Sequence, residues 1–253
     1  ILNSPLEQFC ISSVFHIKFC GQYLGFTNSA LFTLIGCILM LLVYKLSMHN
    51  ATIIPNNWQS GVELLYGFIM DMVESMLGDE KTAGKYFPFI FFLFSFILFA
   101  NLVGMVPYSF CVTSHIAVTF TLGIIIWVGT TIIGFRTHGS HFFSRFMPSG
   151  APFAIMPFLI GIELLSYVFT VISISVRLFA NMMAGHSLLK ILAGFAWAML
   201  SAGVLGIFGA GVTLSVVLAI TGLEFGIAFL QAYVFTMLSC MSVSYTHLTL
   251  PTN

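Results

Sequence analysis

The sequence predicts an all-α integral membrane protein with about five membrane helices and one amphipathic surface helix, the last two membrane helices being long and strongly tilted as a hairpin. Of its 253 residues, 59% are hydrophobic and 6% are charged, and the mean hydropathy is +1.05, whereas soluble domains carry about 25% charged residues. The apolar runs are also much longer than the roughly 10-residue alternating strands of an outer-membrane barrel. The formal net charge is zero, which argues against nucleic acid as a partner.

The whole chain is expected to form a single integral membrane domain, and its first half divides into four segments. An N-terminal segment (1–28) mixes polar and apolar residues, and the first span (29–46) is just long enough to cross a bilayer, which takes about 20 residues. An amphipathic helix (56–79) begins at a Pro-Asn-Asn turn, which is a helix-start signal. A helical hairpin (86–135) follows, with a phenylalanine-rich first arm that ends at a proline.

The amphipathic helix admits two interpretations. Apolar residues recur along it at helical spacing, while amide and carboxylate side chains take the opposite side. The apolar side comprises Trp58, Val62, Leu65, Tyr66, Ile69, Met72, Val73 and Met76, and the polar side comprises Gln59, Glu63, Asp71 and Glu74. Such a helix lies on a membrane surface or docks against a soluble subunit, and both can hold.

The second half of the chain predicts a long tilted hairpin (153–241). Its first apolar stretch, residues 158–200, would extend roughly 60 Å as one helix, about twice the thickness of the hydrocarbon layer. No proline interrupts this stretch before the Gly/Ser-containing turn near residues 201–203. We therefore favour two strongly tilted helices over two broken spans. The polar tail (242–253) is atypical, because it fits neither a span nor its flank.

Basic residues predict the orientation of the spans. Five of them fall on one side of this layout: Lys45, Lys81, Lys85, Arg136 and Arg145. By the positive-inside rule that side faces the cytoplasm or the mitochondrial matrix. Five crossings then place the N-terminus outside and the C-terminus inside. No internal repeat is evident, which counts against an inverted-repeat transporter.

The long hairpin contains ionisable and amide side chains that an apolar span does not need. Arg177 cannot lose its proton, and a charge in a membrane costs several kcal/mol. Asn181 lies one turn further on the same face. On the next helix Glu224 and Gln231 are seven residues apart and share a face. We expect Gln231 to meet Arg177 across the hairpin and Glu224 to lie nearer His186.

Two carboxylates and an imidazole in such a hairpin indicate a proton relay, because each can bind and release a proton through a wet cavity. The third member, beside Glu224 and His186, is Glu163. Structural alternatives stay open: an Arg–Glu bridge, a core histidine bonded to backbone, and amides that join helices. Hydroxyls such as Ser166, Ser173 and Ser175 are expected to bond back to their own helix.

The sequence carries no motif of soluble enzyme chemistry. It lacks a P-loop, an HExxH pair and a GxSxG elbow. The five cysteines are scattered without a CxxC pair, so we interpret them as small apolar residues or free thiols. We expect no metal and no cofactor.

One segment of this hairpin resembles a known family. Residues 177–186, Arg-Leu-Phe-Ala-Asn-Met-Met-Ala-Gly-His, look like the signature of the a subunit (subunit 6) of mitochondrial ATP synthases. Further similar segments are residues 5–9, 101–108, 113–115, 222–224 and 230–233. The resemblance extends from near residue 5 to about residue 238 and is of the plant or green-algal mitochondrial type, with the alphaproteobacterial type next. The chain departs from the family's pattern after Glu224, where no further acidic residue follows.

The resemblance implies a stator subunit of a rotary F-type ATP synthase that translocates protons, while ATP chemistry resides in other subunits. Two half-channels would meet a ring of c subunits, and Arg177 would separate them and face the ring carboxylate. Protons would pass Glu224, His186 and Glu163, close to Asn181 and Gln231. His115 and Asn101 are further candidates for this path.

The resemblance also implies partners and a location. The partners would be the c-subunit ring, the peripheral-stalk and other F0 subunits, and membrane lipid. The location would be the mitochondrial inner membrane, crossed several times, with the N-terminus in the intermembrane space and the C-terminus in the matrix. Protons are favoured over sodium as the coupling ion, since no cluster of oxygen ligands is evident.

Two other classes of protein remain alternatives. A secondary transporter with an Arg–carboxylate gate predicts a substrate pocket and an internal repeat. A structural membrane anchor predicts that apolar residues can replace the buried polar groups. Co-purification with an oligomeric ring of small helical hairpins would separate these two from a rotary stator.

Overall fold

The computed structural model describes residues 9–19, 22–49, 51–78, 80–106, 109–138, 155–200 and 203–248. Within these ranges a β-hairpin, β1 (Ser13–Phe19) and β2 (Gln22–Thr27), precedes α1 (Asn28–Ser47), α2 (Asn57–Leu77), α3 (Glu80–Met105), α4 (Ile116–His138), α5 (Met156–Leu200) and α6 (Val204–Leu248). A single turn of 3-10 helix, Val112–Ser114, connects α3 to α4. Among the described helices five are long and apolar enough to cross a membrane, namely α1, α3, α4, α5 and α6. The predicted fold class, an all-α membrane protein, is confirmed.

The N-terminal β-hairpin is a feature that the sequence analysis missed. Strands β1 and β2 pair antiparallel, with Phe15 opposite Phe26 and Phe19 opposite Gln22. The Asn28 side chain ties the hairpin to the start of α1, because its Oδ1 accepts from the Ser12 amide at 3.3 Å. Period-two alternation of apolar and polar residues is the signal of such strands, and Phe15, Ile17 and Phe19 alternate with His16 and Lys18. We had assigned this stretch only to a mixed segment.

Helix α2 has well-defined ends. The Asn56 side chain accepts a hydrogen bond from the Asn57 amide at 2.8 Å, and Gly78 ends the helix in the left-handed conformation at φ 68°, which favours glycine. In the C-terminal half of its apolar side Ile69, Met72 and Val73 are buried, whereas Trp58 and Tyr66 in the N-terminal half are 75% and 50% exposed. The apolar side therefore serves partly as protein core rather than only as a surface for lipid or a partner.

Gln59 overturns one detail of the α2 prediction. We placed its side chain on the polar, solvent-facing side, but only 5% of it is exposed. Its Nε2 donates to the Thr52 carbonyl at 3.0 Å and its Oε1 accepts from the Thr52 amide at 3.2 Å. The amide is buried because it pairs with the backbone of the preceding loop, a partner that helical spacing does not reveal.

The last two helices have 45 residues each, which corresponds to about 68 Å of helix at 1.5 Å per residue. Both are single elements, as predicted, and they are separated near Gly203, which adopts φ 85°. Helix α6 continues to Leu248, into the tail that we expected to be unlike a span. No glycine or proline occurs between Met241 and Leu248 to stop the helix. Their tilt in a membrane stays a prediction.

The described helices cluster into two compact units. Unit one comprises residues 1–42, 96–116 and 178–232, and unit two comprises residues 43–95, 117–177 and 233–253. In unit one Cys111, Met182 and Ala228 form a small buried cluster. In unit two the Tyr44 hydroxyl lies 2.6 Å from Ser95 Oγ within an aromatic-rich core. That the chain acts as one membrane domain stays a prediction.

Candidate proton-transfer sites

Arg177 lies at an exposed position of α5, in the last turn assigned to unit two. Its neighbours Ser175 and Leu178 are fully or almost fully buried, at 0% and 1% exposure. The helix therefore turns the guanidinium to its outer side. Within the described part of the chain Arg177 forms no salt bridge. Because a guanidinium keeps its charge at any working pH, this side chain is a fixed cation without a charged partner of its own among those residues.

A first cavity of about 190 Å³ lies in unit one. Helices α5 and α6 line it, and its lining is apolar except for two side chains, the Asn181 amide and the Glu224 carboxyl. Glu224 is only 8% exposed. The full lining is Asn181, Met182, Ala184, Gly185, Leu188, Ile220, Leu223, Glu224 and Ile227.

The Glu224 carboxyl rests against the backbone of α5 at Gly185. A Cβ atom added to Gly185 would collide with Glu224 Oε1 and would lie 2.9 Å from its Cδ and 3.2 Å from its Cγ. Only glycine therefore admits the carboxyl in this position. His186 follows directly in sequence and is half-buried. Neither Glu224 Oε1 nor His186 Nε2 has a hydrogen-bond partner among the described residues.

Two further predicted residues lie in unit one close to the turn of α6 that follows Glu224. Asn101 is fully buried, and its Nδ2 donates to the Ala228 carbonyl at 3.3 Å. This bond joins α3 to α6 one turn beyond Glu224. Gln231, three residues further along, is 4% exposed. The expected meeting of Gln231 with Arg177 stays a prediction.

His115 lies outside the spans, at the start of α4. Its ring stacks on Phe110, with centroids 5.0 Å apart and planes at 16°. Burial lowers its pKa from the usual 6.5, because the neutral imidazole is favoured where water is excluded. The neighbouring 3-10 turn is also buried, at Val112, Thr113 and Ser114.

A second cavity, of about 180 Å³, lies in unit two and borders Glu163. Hydroxyl groups are frequent in its lining, which consists of Gly123, Ile126, Trp127, Thr130, Glu163, Ser166, Tyr167, Thr170, Val171, Ile174, Phe235, Leu238, Ser239 and Met241. Glu163 itself is exposed on α5. We had grouped Glu163 with Glu224 and His186, but its cavity has a different lining from the one at Glu224.

The sequence analysis missed several residues that shape these cavities. Gly185 carried a signal, since a glycine directly before a polar residue in a span permits close approach of another helix. Gly123 has a similar role, because an added Cβ would collide with Ser175 Oγ and lie 3.2 Å from Val171 Cγ1. Ser175 Oγ has no hydrogen-bond partner among the described residues. The expectation that Ser175 bonds back to its own helix was therefore wrong.

The fold and these sites define a multi-pass membrane protein with ionisable side chains beside cavities that its spanning helices line. Comparison with known proteins gives its family. The family described as ATP synthase A chain matches residues 30–244, and the chain belongs to it. This family is the proton-translocating subunit of F0, as the resemblance at residues 177–186 indicated.

Relatives named ATP synthase subunit a support this assignment over nearly the whole chain. The protein of Chondrus crispus is 52% identical over 242 residues, which are 95% of this chain and 94% of that protein. The protein of Marchantia polymorpha is 49% identical over 240 residues, covering 94% and 95% respectively. A bacterial relative, from Parvibaculum lavamentivorans, is 46% identical over 237 residues, covering 94% and 90%. The plant-like and algal-like character predicted from the sequence is confirmed.

Proposed function

We propose that this chain is the stator subunit of a rotary ATP synthase and that the two cavities lined by α5 and α6 are the two half-channels for protons. The order of residues along α5 carries this proposal. The residues that line the second cavity run from Glu163 to Ile174, and those that line the first run from Asn181 to Leu188. Arg177 falls between the two sets.

Helix α6 has the reverse order along the chain. The first cavity uses its residues 220–227, and the second uses residues 235–241. Gln231 falls between these sets, as Arg177 does on α5. Because like charges repel, the Arg177 cation opposes the transfer of protons past its position on α5.

Arg177 also supplies the chemistry that a moving carboxylate needs. A positive charge close to a carboxylate favours its ionised form, so that a protonated ring carboxyl arriving at Arg177 releases its proton. An arginine that forms no salt bridge with the described residues of its own chain is available for such a visiting partner. Arginine suits this role because it holds its charge at any working pH.

The two carboxyls take different roles in this scheme. Protons are taken up through the first cavity, past Asn181, His186 and Glu224, and His115 and Asn101 lie on the approach to it. After a ring carboxyl has carried the proton round through lipid, the proton leaves through the second cavity at Glu163. This changes our sequence-based assignment of Glu163, because its cavity has its own lining. Each crossing yields about 2.3 kcal/mol per 100 mV of membrane potential.

The proposed surroundings follow from the family. The partners are a ring of c subunits, the peripheral-stalk and other F0 subunits, and lipid. The membrane is the mitochondrial inner membrane, with the N-terminus in the intermembrane space and the C-terminus in the matrix. The clustering of Lys45, Lys85 and Arg136 at one end of the predicted spans supports this orientation. The chain itself performs no ATP chemistry.

The test is the substitution Arg177→Ala in the whole complex, reconstituted into liposomes. ATP-driven proton pumping should be lost while the complex still assembles with its ring. Arg177→Lys is the matched variant, since it keeps a charge but not the planar guanidinium, and it should recover pumping only in part. Normal pumping by the alanine variant would contradict the proposal.

A further inference from the structure

A separate cavity of about 480 Å³, the α1–α2 cavity, lies in unit two where α1 ends and α2 begins. It is more than twice as large as either cavity between α5 and α6. None of the described residues that line it carries a carboxylate, whereas several can donate hydrogen bonds. The lining is Val43, Leu46, Ser47, His49, Asn56, Trp58 and Gln59. The α1–α2 cavity therefore suits an anion rather than a cation.

The first turn of α2 supplies backbone donors beside this cavity. The Asn57 amide donates to the Asn56 side chain, and the Ser60 amide donates to the Asn56 carbonyl, each at 2.8 Å. The amides of Trp58 and Gln59 have no partner among the described residues, and both residues line the cavity. No acidic side chain in this turn competes for them. Free amides at the positive end of a helix favour an anion, and a phosphate group in particular.

A buried hydroxyl lines the same cavity from α1. Ser47 is only 9% exposed, and its Oγ has no hydrogen-bond partner among the described residues. The Thr33 hydroxyl of the same helix instead bonds back to the Ser29 carbonyl at 2.8 Å. A buried hydroxyl without a partner costs free energy. A ligand that accepts a hydrogen bond from Ser47 would remove this cost.

The loop between α1 and α2 is held by hydrogen bonds and yet turns apolar side chains outward. The Gln59 side chain pairs with both backbone groups of Thr52, and Thr52 Oγ1 donates to the Ile54 carbonyl at 2.6 Å. Ile53 is nevertheless fully exposed, and Ile54 and Trp58 are 85% and 75% exposed. Tryptophan is typical of membrane–water interfaces. Because α1 is a candidate membrane span and the cavity lies at its C-terminal end, we expect the cavity at the level of the lipid headgroups.

We propose that the α1–α2 cavity binds the phosphate of an anionic phospholipid. The free amides of Trp58 and Gln59 and the Ser47 hydroxyl donate to the phosphate oxygens, and the acyl chains lie against the exposed apolar side chains beside the cavity. An anionic headgroup fits better than a zwitterionic one, because the lining has no carboxylate to pair with an ammonium group. Glu63, one turn further along α2, already accepts from Gln59 Nε2 at 2.7 Å. The bound lipid joins the end of the first span to the start of the amphipathic helix.

The test uses the whole complex in nanodiscs that contain a photoactivatable phosphatidylglycerol with a diazirine close to its headgroup. After irradiation, mass spectrometry should find the label on residues 43–59. A diacylglycerol probe with the same chains and diazirine but no phosphate should label this segment about tenfold less, since hydrogen bonds to a charged group are the strong ones. Equal labelling by the two probes would overturn the proposal, because the contact would then not need a phosphate.

Two substitutions of the exposed Trp58 separate charge from shape. Trp58→Glu places a carboxylate at the start of α2, where the helix dipole tolerates it, but it repels a phosphate, so labelling by phosphatidylglycerol should fall about tenfold. Trp58→Gln removes the same indole ring without adding a charge and should keep labelling within about twofold of the wild type. Equal labelling of the two variants would contradict a bound anion. Assembly of each variant with the ring is checked on a native gel.

A second pair of substitutions separates a specific site from diffuse attraction. Ser47→Ala removes one donor to the phosphate and should lower labelling about fivefold. Lys45→Gln removes a cation two residues earlier, about 200° round the helix from Ser47, and should leave labelling unchanged. Equal losses in Ser47→Ala and Lys45→Gln would replace the site by general attraction of anionic lipid to basic residues.

Two further outcomes would overturn the choice of ligand. Inorganic phosphate added in excess should not reduce labelling by phosphatidylglycerol. If it abolishes labelling, the cavity takes free phosphate rather than a lipid headgroup. If residues 43–59 of the wild-type complex carry no label at all, another subunit covers the cavity and the lipid is excluded.

Discussion

The two cavities have nearly the same volume, about 190 Å³ and 180 Å³, but they hold their carboxyls in opposite ways. Glu224 is buried against the bare backbone of Gly185 in an apolar lining. Glu163 is exposed on its helix and lies among hydroxyl groups. We therefore expect steric fit to matter most at the first site and hydrogen bonding with the neighbouring hydroxyls to matter most at the second. Substitutions that alter fit and substitutions that alter hydrogen bonding should accordingly affect different cavities.

The largest effect should come from removing the carboxyl of the first cavity. Glu224→Gln keeps the shape of the side chain but cannot carry a proton, so proton uptake should slow. We expect ATP synthesis driven by an imposed proton gradient to fall by about 100-fold, the lower end of what a positioned proton-transfer group contributes. The assay is ATP synthesis by the whole complex in liposomes.

A substitution that keeps a carboxyl at position 224 is the control for this prediction. Glu224→Asp keeps an ionisable group and should recover part of the rate. If Glu224→Gln supports synthesis at the wild-type rate, proton uptake does not depend on this carboxyl. The first cavity would then be a packing feature, and the contrast with the second cavity would lose its functional meaning.

A smaller effect is expected from filling the space beside Gly185 that the Glu224 carboxyl occupies. Gly185→Ala places a Cβ where Glu224 Oε1 now lies, so the carboxyl must move away from α5. We expect synthesis to fall by about 10-fold, since misplacement of a reacting group by 1 Å can cost up to 100-fold. The rate of ATP synthesis is measured as above, and complex assembly is checked on a native gel.

Gly129→Ala is the matched control for this substitution. It also adds a methyl group inside a membrane helix, but its Cβ would meet nothing within 4 Å. Its activity should match that of the wild type. Equal losses in the two variants would point to a general effect of alanine on helix packing. They would contradict a specific role for the close contact between Gly185 and Glu224.

Unit two offers a test of fit that concerns stability rather than proton transfer. Gly123→Ala should crowd Ser175 Oγ and Val171 and destabilise the contact of α4 with α5 by about 1–3 kcal/mol, as overpacking does. Ser175→Ala should not destabilise, because it removes a buried hydroxyl that has no hydrogen-bond partner among the described residues. Thermal unfolding of the solubilised complex provides the measurement.

The double variant decides whether this crowding has the proposed cause. If the added Cβ clashes with the Ser175 hydroxyl, Ser175→Ala should relieve most of the loss caused by Gly123→Ala, and the two effects should not add. Additive effects would show that the two residues do not interact. The close contact of α4 with α5 would then not depend on the lack of a side chain at Gly123.

The fold was largely predictable because apolar length and helical periodicity decide which segments span a membrane. The 45-residue helices α5 and α6 follow from uninterrupted apolar runs without proline. The β-hairpin before Asn28 was missed because its alternation is short and lies in a mixed segment. Gln59 was misplaced because its partner is the backbone of Thr52, and spacing along a helix does not encode such a contact.

The candidate site was predictable only as a set of residues. A charged or amide side chain in an apolar span is easily recognised, because placing it in a membrane costs free energy. This criterion singles out Arg177, Glu163 and Glu224. How these residues divide between cavities depends on which helices pack together, and this is not written in the spacing along one helix. Gly185 admits a close contact because it has no side chain. Such a contact can be recognised only once the position of the facing carboxyl is known.

The smallest expected effect concerns pH and the approach to the first cavity. Burial lowers the pKa of His115 from 6.5, so the unfolded chain binds a proton more readily than the folded one. Stability contributed by the neutral ring is therefore fully present above pH 6.5 and is lost as the pH falls towards the lower folded-state pKa. We expect the unfolding temperature of the complex to fall by a few degrees over this range. His115→Phe retains an aromatic ring against Phe110, and subtracting its pH profile between about pH 5 and pH 7 isolates this contribution. Parallel profiles for the two proteins would contradict it.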